Sequence, residues 1–470
     1  MQSALSGLLI SAPRKSSGKT TLTLGLSSAL IKQGIRLRVF KKGPDYIDPM
    51  WHQAVTGLPC YNIDPYWMSP EMCQRIFTMH SREVDFSLVE GNHGLHDGLD
   101  LAGSNSGAYL AKLLKLPVIL VIDSSGMNRG VAAIVLGHQK LDPDVHIGGV
   151  ILNYIGNSRQ REKQVAAIEH YCDIPVLGAI PKTTHVQIKE RHLGLITIHE
   201  TDLVNEVVSA AAKAVMENCD LDRIKAIAGN ICLPDLAPEE HQSCGTPKVK
   251  IGVARDRAFC FYYQQNFNAL REAGAELVFF DTMADKTLPD VDALYIGGGF
   301  PESFLPELEA NRPLRGILKA AVESGMPVYA ECGGLMYLTR SITRDGQTCE
   351  MVGAIPADVE FQKKPIGKGY IEIRTVPGKG WFQAERTIKG HEFHYSRLVN
   401  IGPNIAYNFT MERGVGVDGR NDGIVYKNLI AAYSHIHSSV VPEWSEQFVE
   451  FILRQKDRSH PDNGYVRFRR

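Results

Sequence analysis

A chain of 470 residues is too long for one hydrophobic core and divides into about two to three domains. Its 44% hydrophobic and 22% charged residues and net charge of −1 are those of an ordinary soluble globular protein, with no global charge to attract nucleic acid or an anionic membrane. No apolar run approaches the roughly 18 residues of a membrane span, no secretion signal opens the chain, and the nine cysteines are scattered without a CxxC pair, so a cytoplasmic protein with no disulfide framework and no zinc site is expected.

The first informative stretch is Ser11 to Thr20. It ends in Gly18-Lys19-Thr20, after the apolar run Leu8-Leu9-Ile10 and before the apolar-periodic segment Leu22 to Leu30. Strand, glycine turn and helix in that order make a phosphate-binding loop, in which backbone amides face anionic oxygens, Lys19 reaches the phosphates and the Thr20 hydroxyl ligates magnesium. Pro13 stands where the full pattern has glycine, so the match is partial, and a plain helix start capped by Ser17 is the alternative. Next comes Gly43-Pro44-Asp45-Tyr46-Ile47-Asp48-Pro49, a proline-bracketed acidic loop directly after Lys42. Asp45 and Asp48 can hold magnesium or a cationic group there, and Lys42 can neutralise developing negative charge; an Asx-turn pair capping the next helix is the other reading.

Leu88-Val89-Glu90-Gly91 ends a predicted strand on an acid beside the phosphate loop, which makes Glu90 a magnesium candidate. His93 and His96 in the glycine turn that follows read as solvent-facing or hydrogen-bonded rather than zinc-binding. Further strands are predicted over Leu116 to Ile122, Gly148 to Leu152 and Ile174 to Pro181, and a helix over Leu203 to Met216; the alternation argues a parallel α/β sheet. Asn153, at a strand terminus, can offer both a donor and an acceptor to a purine edge, or simply form a turn.

From about Asp220 to Lys248 periodicity fades among prolines and glycines, which marks a domain boundary. Val249 to Ala254 starts a second α/β unit. Its key stretch is Val328-Tyr329-Ala330-Glu331-Cys332-Gly333-Gly334, a strand meeting a tight turn and a helix, which is the form of a nucleophile elbow. The helix N-terminus is expected to lower the Cys332 pKa. A base must come from elsewhere in the chain: His435 and His437 are expected on one side of a strand, with His391 and His394 as competitors. Gly297-Gly298-Gly299 follows another strand and can complete an oxyanion hole.

The combination of SSGKTT, FKKGPDYIDP, LVEGNHGLHDG, VILN, ERHLGL, GGGFPE, YAECGGLMYL, GHEFHYS and AAYSHIHS resembles the cobyrinic acid a,c-diamide synthase family over nearly the whole chain. The resemblance implies an α/β protein with a P-loop NTPase-like, dethiobiotin-synthetase-like parallel-sheet ligase domain over residues 1–220 and a linker over 221–247. A class I glutamine amidotransferase α/β domain over 248–458 and a polar basic tail over 459–470 would complete it. It implies ATP, glutamine and a corrinoid or related tetrapyrrole as substrates, Mg²⁺ as cofactor and amidation of the a and c acetate groups through acyl phosphates. An internal route for ammonia and a homodimer are carried as expectations. Ser17, Gly18, Lys19, Thr20, Thr21, Lys42 and Asn153 form the implied nucleotide set, and Thr20, Asp45 and Glu90 the metal set. Asp45, Asp48 and Asp97 surround the activated carboxylate, Cys332 is the glutaminase nucleophile and His435 its base. Many class I amidotransferases carry a glutamate two residues after that histidine, where this chain has His437, so the third member of the triad is left open. The nearest rival keeps the chemistry on siroheme, sirohydrochlorin or nickel sirohydrochlorin. More distant rivals are a nucleotide-switched positioning ATPase with an inert C-terminal domain and a chain whose second half only binds a tetrapyrrole.

Overall fold

The computed structural model describes residues 5–182, 190–191, 194–229, 231–234, 246–378, 380–382, 385–403 and 405–459. The chain forms two compact units, Met1–Glu239 and Glu240–Arg470.

The first unit alternates strand and helix: β1 (Gly7–Ser11), α1 (Lys19–Lys32), β2 (Leu37–Lys42), α2 (Ile47–Thr56), β3 (Tyr61–Ile63), α3 (Pro70–Ser81), β4 (Phe86–Glu90), α4 (Gly107–Leu113), β5 (Val118–Asp123), α5 (Val131–Leu141), β6 (Ile147–Ile155), α6 (Ser158–Cys172), β7 (Val176–Pro181), α7 (Val204–Asn218) and α8 (Leu221–Ile227). The seven strands pair in the order β3-β2-β4-β1-β5-β6-β7, all parallel. Helices cover both faces of such a sheet, which is why its strands are continuous apolar runs rather than alternating ones. Leu8, Ile10, Leu88, Ile119, Val121 and Ile151 pack with Leu22, Leu26 and Leu30 of α1 in one core. Gly25 lets α7 close on α1, since a Cβ there would lie 2.5 Å from the Ala211 carbonyl oxygen. The chain leaves β1 for β2 on one side and β5 lies on the other, so strand order switches at β1. The crevice at the carboxyl ends of β1, β2 and β4 is where such sheets bind ligands.

Two expectations shift here. β6 runs past Asn153 to Ile155, with a register irregularity against β7 and a positive φ of 61° at Tyr154. Part of the predicted linker is ordered: Leu221, Ile224 and Ile227 fall in α8, whose cap is the Asp220 side chain accepting from the Arg223 amide, and Ile231 bridges back to Leu5. Much of the Glu190 to Leu195 motif and the basic tail from residue 460 lie outside the described residues.

The second unit holds a nine-stranded mixed sheet. Five parallel strands, Ala275–Phe280, Val249–Ala254, Ala293–Ile296, Val328–Glu331 and Leu429–Ala432, are followed by four antiparallel ones, Asn421–Tyr426, Ala406–Arg413, Gly367–Thr375 and Thr387–His394. A smaller four-stranded sheet flanks it. Under the parallel strands Tyr295, Tyr329, Trp444 and Phe448 form an aromatic core, with Trp444 and Phe448 supplied by the helix Trp444–Ser459. Among the described residues no helix is long and apolar enough to cross a membrane.

Candidate active sites

In the first unit the loop after β1 turns into α1 through Ser16 and Gly18, at φ 58° and 89°. Glycine is required at 18: beyond its left-handed backbone, a Cβ would sit 2.2 Å from Asn153 Nδ2. No side chain caps α1 at Gly18, so the amides at this helix N-terminus remain available to an anion. The loop is braced from several sides. Ser17 Oγ donates to the Arg14 carbonyl at 3.0 Å, Asn153 Nδ2 donates to the Ser17 carbonyl at 3.0 Å, and Arg14 pairs with Asp123 at 2.7 Å. Lys19 Nζ donates to the carbonyls of His93 (2.9 Å) and Arg14 (3.4 Å). Burial, reinforced by the neighbouring Lys41 charge, lowers the Lys19 pKa to about 8 against the pull of Glu90, Asp48 and Asp97. Thr21 lies half-buried in the first turn of α1.

Around this loop a charged cluster gathers. Thr20 Oγ1 donates to Glu90 Oε1 at 2.7 Å and to Asp48 Oδ2 at 3.2 Å. Lys41 Nζ contacts the same two oxygens, reaching Glu90 Oε1 at 2.7 Å and bonding Asp48 Oδ2, with Asp45 Oδ2 at 3.7 Å. His52 Nε2 meets Glu90 Oε2 at 2.7 Å. Strand register explains the convergence: Glu90 lies beside Ile10 of β1 and Lys41 of β2, while Asp48 and His52 are one turn apart on α2. Burial opposes ionisation of Glu90, but Lys41 and His52 outweigh it and hold this carboxyl well below the usual range. Burial likewise opposes the charge on Lys41, and Asp48, Glu90 and Asp45 outweigh it, so the ammonium is retained. Burial and the crowding charge of Asp45 push the Asp48 carboxyl up. Three carboxyl groups, Asp45, Asp48 and Glu90, thus face Lys41, Lys19 and His52 in one cluster.

The residues singled out in the sequence divide on inspection. Lys41, not Lys42, enters the cluster. Lys42, the adjacent residue of β2, is buried with Asp64 as its ionic neighbour, and burial lowers its pKa. Asp45 uses Oδ1 to accept the amides of Ile47 and Asp48 at 3.0 Å each, so it caps α2 while Asp48 faces the site; the helix-cap alternative and the acidic-site reading each describe one of the pair. Asp97 Oδ2 accepts the Gly94 amide at 2.9 Å and closes the turn after β4. Asn153 Oδ1 accepts the Tyr154 amide at 3.0 Å, which leaves its amide group capacity for one more donor and one more acceptor bond. His96 stacks on His138 with ring centroids 5.0 Å apart. Among the described residues no three His, Cys, Asp or Glu side chains are grouped to hold a metal ion. His52 was missed in the sequence, although its i,i+4 spacing from Asp48 was the available signal.

In the second unit Cys332 follows the strand Val328–Glu331 at φ 46° and ψ −99° and precedes the helix Gly333–Leu338. A non-glycine residue in that conformation is strained, as at a nucleophile elbow. The turn is tight: a Cβ at Gly334 would lie 2.1 Å from the Ile296 carbonyl oxygen, and one at Gly333 would lie 3.1 Å from the Gly299 amide nitrogen. The Gly297 to Gly299 loop therefore packs on the cysteine turn. One expectation is corrected. Burial, with Glu302, Glu331 and Asp422 nearby, pushes the Cys332 thiol up rather than down, because the helix behind it spans only six residues and the Gly333 amide alone does not offset desolvation.

The histidines also part company. The strand Leu429–Ala432 ends before them, so they do not share a strand face as expected. Ala432 accepts the Cys332 amide at 2.7 Å, which brings the two strand ends together. His435 lies with Nδ1 3.4 Å from Glu331 Oε2, its Cε1–Nε2 edge against Gly298 and its ring stacked on His391 at 4.8 Å. His437 turns elsewhere: Nδ1 is 2.8 Å from Ser439 Oγ, the ring packs on Tyr263 at 4.7 Å, and burial lowers its pKa to about 3. His391 is held neutral by burial and by the neighbouring histidines, and His394 stacks on Tyr433 at 3.8 Å with Nδ1 on the Ser396 carbonyl.

These two geometries coincide with two family models: the CobQ/CobB/MinD/ParA nucleotide binding domain over residues 9–196 and the CobB/CobQ-like glutamine amidotransferase domain over residues 250–440. A cobyrinate a,c-diamide synthase of Magnetococcus marinus is 42% identical over 460 residues, covering 97% of this chain and 98% of that protein. Proteins of the same name from Archaeoglobus fulgidus (40% identical, covering 93% of this chain and 96% of that one) and Methanosarcina acetivorans (38%, covering 94% of each) match along nearly their full length. The chain thus belongs to the cobyrinate a,c-diamide synthase family of glutamine-dependent, ATP-using amide ligases.

Proposed function

We propose that this chain amidates the a and c acetate carboxylates of a corrinoid precursor such as cobyrinic acid, with ATP as the activating substrate and glutamine as the nitrogen source. The observation that carries the reading is the presence in one chain of a phosphate loop beside the Thr20–Asp48–Glu90–Lys41 cluster and of a strained cysteine turn packed on a glycine loop.

In the second unit the Cys332 proton passes to His435 and the thiolate adds to the glutamine side-chain amide carbon, with amides of the 297–299 loop and Gly333 receiving the oxyanion. The imidazolium returns its proton to the departing nitrogen, ammonia leaves, and water then cleaves the thioester to glutamate and the free thiol. A thiol held protonated by burial makes this proton transfer obligatory. In the first unit a substrate carboxylate attacks the terminal phosphorus of ATP, giving ADP and an acyl phosphate, from which ammonia displaces phosphate to leave the amide. A carboxylate is a poor acyl donor, and the phosphate supplies the leaving group that it lacks.

Lys19 and the N-terminal amides of α1 hold the nucleotide phosphates together with Ser17, Gly18, Thr20 and Thr21, and Asn153 uses its remaining donor and acceptor on the base. Asp48, braced by Asp45, and Asp97 border the carboxylate being activated, and Lys41 offsets charge that builds up there. The Thr20 hydroxyl and the Glu90 and Asp48 carboxylates fit magnesium, a hard cation bound by one or two carboxylates plus phosphate oxygens. When bound, it would neutralise the transferring phosphoryl group.

The test is product mass after incubation with ATP, Mg²⁺ and glutamine on cobyrinic acid, sirohydrochlorin, siroheme and nickel sirohydrochlorin. Each amidation replaces a carboxyl OH by NH₂, so a diamide shows twice the shift of a monoamide. A double shift on cobyrinic acid is expected. A shift confined to a sirohydrochlorin-type ring would move the substrate assignment, and no shift on any ring would overturn the proposal.

A further inference from the structure

The third member of the glutaminase triad is open in the sequence, because the position two residues after His435 is His437. In the structure the His437 ring is engaged with Ser439 and Tyr263 and supplies no negative charge. A different acid stands behind His435. Glu331, the last residue of its strand and the immediate neighbour of Cys332, is 1% exposed and lies with Oε2 3.4 Å from His435 Nδ1. Three other donors aim at the same carboxylate: the Tyr329 hydroxyl at 2.8 Å, the Tyr295 hydroxyl at 3.2 Å and the Ile436 amide at 3.3 Å. The sheet builds this nest. Tyr329 and Glu331 lie two residues apart on one face of a strand, and Tyr295 is the register partner of Tyr329 on the next strand.

We propose that Glu331 is the positioning residue of the glutaminase site, holding His435 with its proton on Nδ1 and its Nε2 lone pair toward the glycine loop on which the cysteine turn packs. The inference rests on the reading of Cys332 and His435 as nucleophile and base. A buried carboxylate is tolerable only when its lone pairs are occupied, and here two phenols, one amide and the imidazole N–H occupy them. Glu331 takes up no proton in the cycle. Its carboxylate stabilises the imidazolium formed when the thiol proton moves to Nε2, and the hydrogen bond to Nδ1 is of the kind that shortens in the substrate complex. The acid thus reaches the histidine from the residue before the nucleophile, not from the residue two beyond the base.

The experiment compares Glu331→Gln, Glu331→Asp, Cys332→Ala and His435→Ala in glutamine hydrolysis by the full chain, with kcat, KM and the pH profile read separately. Glu331→Gln is expected to lower kcat by roughly a hundredfold or more with KM little changed. It should also move the acid limb of the kcat/KM profile to lower pH, because the imidazole loses the charge that favours its protonation; Glu331→Asp should recover part of the loss. A kcat within about threefold of wild type, or an effect confined to KM, would overturn the inference. If Cys332→Ala or His435→Ala retains glutaminase activity, the underlying site assignment falls instead. Should Glu331→Gln not fold, nitrogen NMR of the His435 ring in the wild-type chain decides: a proton on Nδ1 is expected at neutral pH, and a proton on Nε2 would overturn it.

Discussion

The two units solve opposite electrostatic problems on similar sheets. The first concentrates charge: Lys41, Asp45, Asp48 and Glu90 lie in one cluster with Lys19 and His52 beside them. The second suppresses charge around its nucleophile: the Cys332 thiol is pushed up, and His391 and His437 are held neutral. The contrast follows from the substrates proposed for each. A polyphosphate and a carboxylate arrive charged and need a site whose counter-charges are already placed. Glutamine arrives neutral, and a thiol that stays protonated until a base is aligned is protected from stray reaction.

The largest expected break in that comparison comes from Lys41→Met. Removing an ammonium that is 2% exposed leaves Glu90 and Asp48 without the cation that contacts both, and removal of one partner of a buried pair costs about 3–5 kcal/mol. Denaturant unfolding of the first unit should show that loss, with ATP-dependent amidation abolished. Added Mg²⁺ should restore part of the lost stability if the same carboxylates bind it, and an unchanged midpoint would contradict the metal assignment. Lys42→Met, which removes only the neighbour of Asp64, should cost less.

A smaller effect sharpens the other side. His437 has a folded pKa of about 3, below the ordinary value near 6.5 that it regains on unfolding. Below pH 6.5 the unfolded chain therefore binds a proton that the folded chain refuses. The stability contributed by neutral His437 is fully present above pH 6.5 and is lost as pH falls toward 3. His437→Asn should flatten the fall in stability of the second unit across that window. An equal slope in wild type and variant would show that other groups govern it.

Much of this arrangement was legible because local pattern and global position coincide. Gly18-Lys19-Thr20 between an apolar strand and a periodic helix marks the glycine turn into α1, and a strand ending on Glu90 marks the acid that meets Thr20. What stayed hidden depends on which face of an element looks inward. Lys41 and Lys42 are adjacent on β2 and point to opposite faces, and only the pairing of β2 with β4 sets Lys41 against Glu90. The role of Glu331 was obscured because the acid was sought after the histidine, whereas the sheet delivers it from before the cysteine. Raised acidity at Cys332 was expected from the helix behind it, and burial outweighed so short a helix. The helix α8 was concealed by the prolines and glycines that follow it.

The most direct test of the account is Cys332→Ala assayed for amidation of cobyrinic acid with ATP and Mg²⁺, once with glutamine and once with ammonium salts at mildly alkaline pH. The account predicts that the glutamine-dependent amide is lost while the ammonia-dependent amide and its ATP consumption persist. Amide formation from glutamine in this variant, or a wild-type chain unable to use ammonia at all, would contradict it.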